Sequence, residues 1–267
     1  MKNTDIIGFI GAGNMAGAII KGLADNSYPE EKLYIYDINN SVYSNFCKIG
    51  LHTTKSIFEI VDLTDIVFLS VKPQNITQVL DEISKTQYKE KLFVSIVAGV
   101  SISKIQNKLP GAKVIRVMPN MPLLIKAGAT ALCRSENVTD EELDNIVNIF
   151  KLLGYVAILD EGKMNEVISI NGSSPAYFYL FAKAVIDKAA EYNIDYNIAK
   201  ELIAYTMIGS AKMLLNSDIS PDKLIEMVAS KGGTTHEALK TFKENKFEEI
   251  IKEAMDACTK RAYELNE

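Results

Sequence analysis

Short apolar runs alternate with amphipathic stretches over the first part of the chain. Apolar, β-branched runs predict strands at Ile6–Ile10, Leu33–Tyr36, Ile66–Val71, Leu92–Val97 and Val114–Met118. Helical periodicity lies between them, near residues 14–25, 40–48, 56–62, 74–85 and 101–108. This alternation predicts a parallel sheet with helices on both faces, because parallel strands are joined by helical crossovers. Two further strand-like runs, Ala129–Cys133 and Tyr155–Leu159, flank a helical stretch near 139–153 and extend the sheet.

The pattern changes after Asp160, where strand-like runs stop and helical periodicity continues to the end of the chain. We therefore expect an α/β protein with a doubly wound sheet over residues 1–160 and an all-helical domain over 161–267. Residues 176–190 are apolar nearly all round, which in a small domain indicates burial against a second copy of the chain. The last helix predicts one core stripe, formed by Phe247, Ile251, Ala254, Cys258, Ala262 and Leu265.

Composition limits the classes of function. The 267 residues carry 29 Lys+Arg against 34 Asp+Glu, a formal net charge of −5, which argues against a nucleic-acid partner. No apolar stretch reaches the ~18 residues of a membrane span, so no membrane partner is expected. Cys47, Cys133 and Cys258 are scattered and there are 2 histidines, so we expect neither a disulfide framework nor a metal site.

The N-terminal segment and the cysteines bear on location. Residues 6–20 carry no charge and could be an export signal, but Gly8, Gly11 and Gly13 weaken any apolar helix there. Free thiols fit a reducing compartment. A cytoplasmic protein is therefore the expectation.

The first predicted strand runs directly into Gly11-Ala12-Gly13-Asn14-Met15-Ala16, a G-x-G-x-x-A spacing between a strand and a helix. Gly11 allows a tight turn, Gly13 lets a pyrophosphate approach the backbone, and Ala16 permits close packing of helix on strand. The helix N-terminus adds free N–H groups and a positive dipole end. The motif predicts a Rossmann-type dinucleotide-binding domain, with a plain strand–turn–helix corner as the alternative.

Asp37 follows the second strand, at about the interval expected of a carboxylate that binds the adenosine ribose. Such a carboxylate repels a 2′-phosphate and favours NADH over NADPH. No Arg is nearby, although Asn39, Asn40 and Ser41 could donate hydrogen bonds to a phosphate. A helix N-cap is an equally good interpretation of Asp37.

Loops after later strands are expected at the same edge of the sheet, where open parallel sheets bind their ligands. Val71-Lys72-Pro73 and the Ala98-Gly99 turn are therefore placed to line a nicotinamide site. Asn120 lies in a segment stiffened by two prolines, Met118–Pro122. It could hold a carboxamide or a ribose, or simply belong to a rigid surface turn.

Two further segments place small residues and hydroxyls immediately before a predicted helix, at Asn171–Tyr177 and Ser230–Thr235. Backbone N–H groups at such places bind anions, although both segments could also be ordinary N-caps. Beside a cofactor domain, they suggest recognition of a carboxylate.

Together these motifs resemble those of the pyrroline-5-carboxylate reductase family. They occur in the right order over essentially the whole chain: GFIGAGNMA (8–16), VKP (71–73), AGV (98–100), VIRVMPNMP (114–122), GSSPAY (172–177), GSAKMLL (209–215) and GGTT (232–235). The resemblance implies an oxidoreductase that reduces 1-pyrroline-5-carboxylate with NADPH or NADH, the last step of proline biosynthesis. It also implies a Rossmann domain and a helical dimerisation domain, in homodimers that often assemble into decamers.

The resemblance also implies roles for individual residues, and no metal. The pyrophosphate would lie on Gly11, Ala12, Gly13, Asn14 and Met15. The nicotinamide end would contact Val71, Lys72, Pro73, Ala98, Gly99, Met118 and Asn120. The small-molecule substrate, a cyclic imine carboxylate, would be held by Ser173, Ser174, Gly232, Gly233, Thr234 and Thr235. The Thr235 hydroxyl is the best candidate to hydrogen-bond the imine nitrogen and is the expected catalytic group.

The chain departs from the family pattern at three positions within these motifs. Asn171 stands where the family usually has Ser, Met121 where it has Thr, and Lys231 where it has Pro before the two glycines. Lys231 adds a positive charge and makes its loop less rigid, which bears on substrate affinity rather than on the fold.

Three other functions compete with this interpretation. A β-hydroxyacid dehydrogenase of the same architecture usually has a Lys followed by an Asn one turn later, but Lys183, the only lysine in 165–187, is followed by Asp187. A non-catalytic NAD-sensing protein would be favoured by the departures at Asn171 and Lys231. The glycine motif argues against a purely structural protein.

Overall fold

The computed structural model describes residues 5–46, 49–216 and 218–265, so Cys47 lies outside the described residues. The chain divides into two compact units, of which the second is Ser174–Ala257. The first contains the chain up to Ser173 together with the segment from Cys258 onward. Residues 161–173 and the C-terminal segment pack within the unit that contains the sheet, while the domain limits 1–160 and 161–267 stay a prediction. That packing joins parts of the chain far apart in sequence, so no local pattern indicates it.

An eight-stranded sheet forms the centre of the first unit, in the order β3-β2-β1-β4-β5-β6-β7-β8. The strands are β1 Ile7–Ile10, β2 Leu33–Tyr36, β3 His52–Thr53, β4 Ile66–Leu69, β5 Leu92–Ser95, β6 Lys113–Met118, β7 Gly128–Arg134 and β8 Gly154–Ile158. All neighbouring pairs are parallel except β6 and β7, which are antiparallel. The five strands from which the sequence predicted a parallel sheet are parallel, and β7, whose direction the sequence left open, is antiparallel to β6. The connection before β7 carries no crossover helix, which a parallel pair would need.

Helices cover both faces of this sheet. They are α1 Asn14–Asp25, α2 Ile57–Leu63, α3 Ile76–Ile83, α4 Ile102–Lys108 and α5 Asp140–Lys151. Successive side chains of β4 enter opposite cores: Phe68 packs with residues of α1 and α5, and Val67 packs with residues of α2, α3 and α4. The doubly wound α/β fold expected from the sequence is thus confirmed. The helix expected near residues 40–48 is a 3₁₀ segment, Asn40–Phe46, and residues 47 and 48 lie outside the described residues.

The remaining helices are α6 Ser174–Glu191, α7 Tyr196–Asn216, α8 Pro221–Val228, α9 Thr234–Glu244 and α10 Phe247–Glu264. Within the second unit α6 and α7 pack against each other. Few side chains of this unit are buried within the chain; among its described residues they are Pro175, Ala189 and Ala199. On α6, by contrast, Tyr179 is 63% and Leu180 69% exposed. The chain by itself therefore leaves the apolar surface of this unit uncovered.

The core stripe expected along α10 forms only in part. Ala262 is 3% exposed, whereas Phe247 is 37% and Ile251 41% exposed. Helix α10 belongs to the second unit up to Ala257 and to the first unit from Cys258 onward. The residues of the stripe therefore lie in two different environments. None of the helices described is long and apolar enough to cross a membrane.

Candidate functional site

The glycine loop is a tight turn fixed between two strands. Gly11 has φ of +95°, and its N–H donates to the carbonyl oxygen of Tyr36 at 2.8 Å. A Cβ at Gly11 would lie 2.6 Å from the carbonyl oxygen of Ser70, so a larger residue does not fit. The Ser70 hydroxyl donates to the carbonyl oxygen of Gly11 at 2.7 Å. The turn between β1 and α1 is therefore held by both neighbours of β1.

Gly13, two residues later, has open space around it. It occupies the N-cap position of α1, where no side chain caps the helix. A Cβ at Gly13 would meet no heavy atom within 4 Å. The first N–H groups of an α-helix have no partner within the helix, and together with the helix dipole they form an anion site. An exposed helix N-terminus beside an unfilled space fits the pyrophosphate of a dinucleotide.

Asp37 bridges the end of β2 and the glycine loop. Its Oδ2 accepts a hydrogen bond from the Ala12 N–H at 2.8 Å, and its Oδ1 accepts one from the Asn39 N–H at 2.8 Å. The following 3₁₀ segment begins at Asn40, and the Asn39 Oδ1 accepts hydrogen bonds from the N–H and hydroxyl of Ser41. The N-cap interpretation of Asp37 is therefore wrong, since it is the Asn39 side chain that caps the 3₁₀ segment. Asp37 stands at the edge where the adenosine ribose is expected.

Two of the expected nicotinamide-side segments differ in their surroundings. A Cγ of Val71 lies 3.1 Å from the position of a Cβ at Gly11, so Val71-Lys72-Pro73 lies beside the glycine loop. The Ala98-Gly99 turn instead contacts the end of α10. Gly99 has φ of +73°, and a Cβ there would lie 2.8 Å from the Cβ of Leu265 and 3.0 Å from the carbonyl oxygen of Ala262. No local sequence pattern indicates this contact, because the two segments are far apart in the chain.

Asn120 is buried, with 8% exposed, and its amide bonds to the protein itself. Its Oδ1 accepts from the Ala129 N–H at 2.9 Å, and its Nδ2 donates to the carbonyl oxygen of Asn171 at 3.1 Å. Asn171 in turn donates from Nδ2 to the carbonyl oxygens of Met118 and Ala129, both at 2.8 Å. The two asparagines thus join the end of β6, the start of β7 and the segment that leads into α6. The sequence motifs mark Asn171 only as a departure from the family pattern and do not indicate these hydrogen bonds.

The candidate substrate residues belong to both units. Ser173 ends the first unit and its Oγ lies 3.2 Å from the Sγ of Cys258, while Ser174 begins α6. Gly232-Gly233-Thr234-Thr235 lies in the second unit, with Gly232 at φ of +74° and Gly233 as the N-cap of α9. No side chain caps α9 there. Thr235 is half-buried in the first turn of α9 and is not the capping residue.

A comparison with known proteins identifies the family. Residues 161–265 match a family model described as pyrroline-5-carboxylate reductase dimerisation, and residues 6–99 match one described as NADP oxidoreductase coenzyme F420-dependent. The pyrroline-5-carboxylate reductase of Haemophilus influenzae is 36% identical over 97% of this chain and 97% of that protein. The chain belongs to the pyrroline-5-carboxylate reductase family. The family expected from the sequence motifs is therefore confirmed.

Solved structures of pyrroline-5-carboxylate reductases have the same fold along their whole length. The Coxiella burnetii protein aligns with a TM-score of 0.88 and 31% identity, covering 99% of both chains. The Plasmodium falciparum protein, described with NADP bound, aligns with a TM-score of 0.91 and 28% identity, also covering 99% of both. The expected combination of a Rossmann-type domain with a C-terminal helical domain is confirmed.

Other reactive or charged side chains of this reductase-family chain are buried or paired with neighbouring groups. Burial raises the pKa of the Cys133 thiol to about 12, so the thiol is protonated at neutral pH and is a poor nucleophile. Arg116, 4% exposed, donates to the Oδ1 of Asn165 at 2.6 Å, and burial lowers its pKa. Lys183 forms an ion pair with Asp187 on the exposed surface of α6. Within the described part of the chain, no group of three His, Cys, Asp or Glu could hold a metal ion.

Proposed function

We propose that this chain reduces 1-pyrroline-5-carboxylate to L-proline with NADPH or NADH. The observation that carries the proposal is the glycine loop, where Gly11 fits because it has no side chain and Gly13 leaves the N-terminus of α1 open. Membership of the family supplies the reaction. The chain would then act as an oxidoreductase in the last step of proline biosynthesis.

The first unit would bind the cofactor. The open N-terminus of α1 would accept the pyrophosphate, and Asp37 would face the adenosine ribose. The nicotinamide end would lie near the segments Val71–Pro73, Ala98–Gly99 and Met118–Asn120. The reduced nicotinamide, when bound, supplies the hydride that the imine carbon accepts.

The second unit would bind the carboxylate of the substrate. Gly233 leaves the N-terminus of α9 without a side-chain cap, so main-chain N–H groups at Thr234 and Thr235 suit a carboxylate. The Thr235 hydroxyl would hydrogen-bond the imine nitrogen, and Ser173 and Ser174 would complete the contacts. The work of the protein is then to orient two rings and to exclude water, which needs no protein nucleophile.

Assembly and location complete the proposal. The exposed apolar side chains of α6 favour a homodimer through the second unit, because a surface of this kind is usually covered by another protein surface. Association of the dimers into a decamer and a cytoplasmic location are proposed with it, on the family resemblance and on the scattered cysteines. The domain limits 1–160 and 161–267 stay a prediction, although the matched dimerisation model also begins at residue 161.

The experiment that tests this function is a turnover assay with the purified chain. Loss of absorbance of the reduced nicotinamide is followed with 1-pyrroline-5-carboxylate and each cofactor, and proline is measured as the product. We expect stoichiometric oxidation of cofactor and formation of proline. Cofactor binding without turnover would favour an NAD-sensing protein. Reduction of the oxidised cofactor by a β-hydroxy acid, with no oxidation of reduced cofactor by the imine, would favour a dehydrogenase.

A further inference from the structure

Strands β6 and β7 separate at the end of the sheet where the nicotinamide is expected. Their last paired residues are Met118 and Ala131, and continuing that register would place Asn120 opposite Ala129. The chain leaves the sheet instead, because the prolines near Asn120 lead into a 3₁₀ segment, Met121–Ile125. The N–H and C=O of Ala129 therefore lose the strand partner that a longer β6 would give them.

Two side-chain amides take the place of that missing strand. The Ala129 N–H donates to the Oδ1 of Asn120, and the Ala129 carbonyl accepts from the Nδ2 of Asn171. The same Nδ2 donates to the Met118 carbonyl on the opposite strand, so the NH₂ group of Asn171 spans the gap between β6 and β7. Three main-chain groups at the gap, the N–H and C=O of Ala129 and the C=O of Met118, are thus hydrogen-bonded by side-chain amides.

The segment that carries Asn171 is held closely against β6. Residues Ile168–Gly172 form a π-helical turn, in which the Ser173 N–H donates to the Ile168 carbonyl at 2.8 Å. A Cβ at Gly172 would lie 2.3 Å from the Cε of Met118, so the Met118 side chain packs directly against this glycine. The π-helical turn, Gly172 and the amide of Asn171 therefore all lie against the end of β6.

The amide of Asn171 also has one unfavourable feature, its carbonyl oxygen. Asn171 is 9% exposed, and its Oδ1 is buried with no hydrogen-bond partner among the residues that the structure describes. A buried unpaired carbonyl oxygen is destabilising, whereas the two hydrogen bonds that Nδ2 donates are stabilising. Serine, the usual residue of the family here, has one hydroxyl hydrogen and could satisfy one of the two carbonyls.

We propose that Asn171 is a positioning residue of the reductase. Its two donated hydrogen bonds fix the Met118–Asn120 segment relative to Gly172-Ser173, so that the nicotinamide side and the substrate side of the site form one rigid piece. The proposal rests on the proposed function, which assigns those segments to cofactor and substrate. Since alignment of two reactants affects the chemical step more than binding, Asn171 should influence kcat more than the Kd of the cofactor.

The decisive variant is Asn171→Asp, which keeps the shape and removes both donors. A carboxylate facing two carbonyl oxygens is repelled by them, and its protonated form regains one donor. Asn171 is hydrogen-bonded to the main-chain carbonyls of Met118 and Ala129 and to the side-chain amide of Asn120, none of which titrates. At pH 8 we expect kcat to fall about ten- to hundredfold with the cofactor Kd within about twofold, and we expect part of the loss to be recovered near pH 6.

Two further variants separate positioning from stability. Asn171→Ser keeps one donor and should give an intermediate kcat. Asn165→Asp is the matched control, because Asn165 lies shortly before the π-helical turn and is similarly buried, but its Oδ1 accepts from Arg116, as a carboxylate oxygen would. It should show a wild-type pH profile. Melting temperatures measured with each assay give the rate per folded molecule.

A second readout does not depend on turnover. Hydrogen exchange of the peptides covering residues 118–130, compared with wild type at each pH, should rise in Asn171→Asp at pH 8, fall back near pH 6, and stay unchanged in Asn165→Asp. Wild-type kcat per folded molecule at every pH in Asn171→Asp, or exchange that is the same as in wild type, would overturn the positioning role. Absence of turnover in the wild type itself would overturn the proposed function, and the exchange pattern would still decide whether Asn171 fixes this segment.

Discussion

The Ala12 N–H donates to the Oδ2 of Asp37 at 2.8 Å, which ties the glycine loop to the end of β2. The carboxylate therefore has two roles. It shapes the loop that would hold the pyrophosphate, and it places a negative charge at the edge where the ribose is expected. The other oxygen, Oδ1, is bonded to the Asn39 N–H. A substitution at Asp37 must therefore be chosen so that loop geometry and charge are tested separately.

We expect NADH to serve this chain at least as well as NADPH, because Asp37 would repel a 2′-phosphate. Asp37→Asn keeps an acceptor oxygen near Ala12 and removes the charge. It should raise the ratio of kcat/KM with NADPH to that with NADH by about tenfold, the effect of ~1.4 kcal/mol of removed repulsion. Asp37→Ser should show the same shift with weaker binding of both cofactors, because the shorter side chain loses the bond to the loop.

Steady-state kinetics with both cofactors check this, with Asp62→Asn on the exposed side of α2 as a charge-matched control. The control should leave the cofactor ratio unchanged. A strong wild-type preference for NADPH would show that Asn39, Asn40 and Ser41 outweigh the carboxylate.

The two glycines of the loop should fail in different ways when they are replaced. Gly13→Val places its side chain in open space, so the fold should survive while the Kd of the cofactor rises at least about tenfold, or ~1.4 kcal/mol. Gly11→Ala forces a side chain into a left-handed turn 2.6 Å from a carbonyl oxygen of Ser70, so the melting temperature should fall. Titration of nicotinamide fluorescence and thermal melts separate the two effects. Unchanged cofactor affinity in Gly13→Val would contradict the placement of the pyrophosphate.

The fold of the first unit could be predicted because its signals are local. Continuous apolar strands such as Ile66–Leu69 and the glycine spacing after β1 each depend on neighbouring residues. The antiparallel direction of β7 and the existence of the edge strand His52–Thr53 were not predicted, for physical reasons. Apolar periodicity carries no information on strand direction. His52 and Thr53 are both exposed, so they show no alternation of apolar and polar residues.

The candidate site likewise has features that the sequence predicts and features that it does not. The glycine loop and the ends of β4 and β5 follow from the rule that parallel sheets bind ligands at their carboxyl edge. The amide bonds of Asn120 and Asn171 and the contact of Gly99 with Leu265 depend on chain segments that are distant in sequence. Such contacts are decided by tertiary packing, which a single sequence does not display.

Disrupting α6 should abolish association of the chain. Leu180 is 69% exposed in the isolated chain although it belongs to a helix that is apolar nearly all round. Leu180→Asp should give a monomer with little activity, because it puts a charge on the surface expected to be buried between subunits. Phe58→Asp, at a 47% exposed position of α2, should remain associated and active. Light scattering at micromolar concentration checks this, and an active wild-type monomer would contradict it.

Thr235→Val should lower turnover much more than it changes the affinity for the cofactor. The hydroxyl is expected to hydrogen-bond the imine nitrogen, and an interaction that tightens toward the transition state affects the rate. A charge-assisted hydrogen bond of ~1.5–3 kcal/mol corresponds to a loss of roughly ten- to hundredfold in kcat. Since Gly233 holds the N-cap position of α9, the valine variant should melt close to the wild type.

Thr235→Ser is the matched control, because it keeps the hydroxyl and loses the methyl group. It should retain most of the turnover, whereas a role in helix stability alone would lower the melting temperature of Thr235→Val and leave the rate per folded molecule unchanged. Steady-state kinetics and thermal melts of both variants distinguish these results. Near-normal kcat in Thr235→Val would remove Thr235 from the catalytic groups, and the orientation of the substrate would then rest on the main-chain N–H groups at the start of α9.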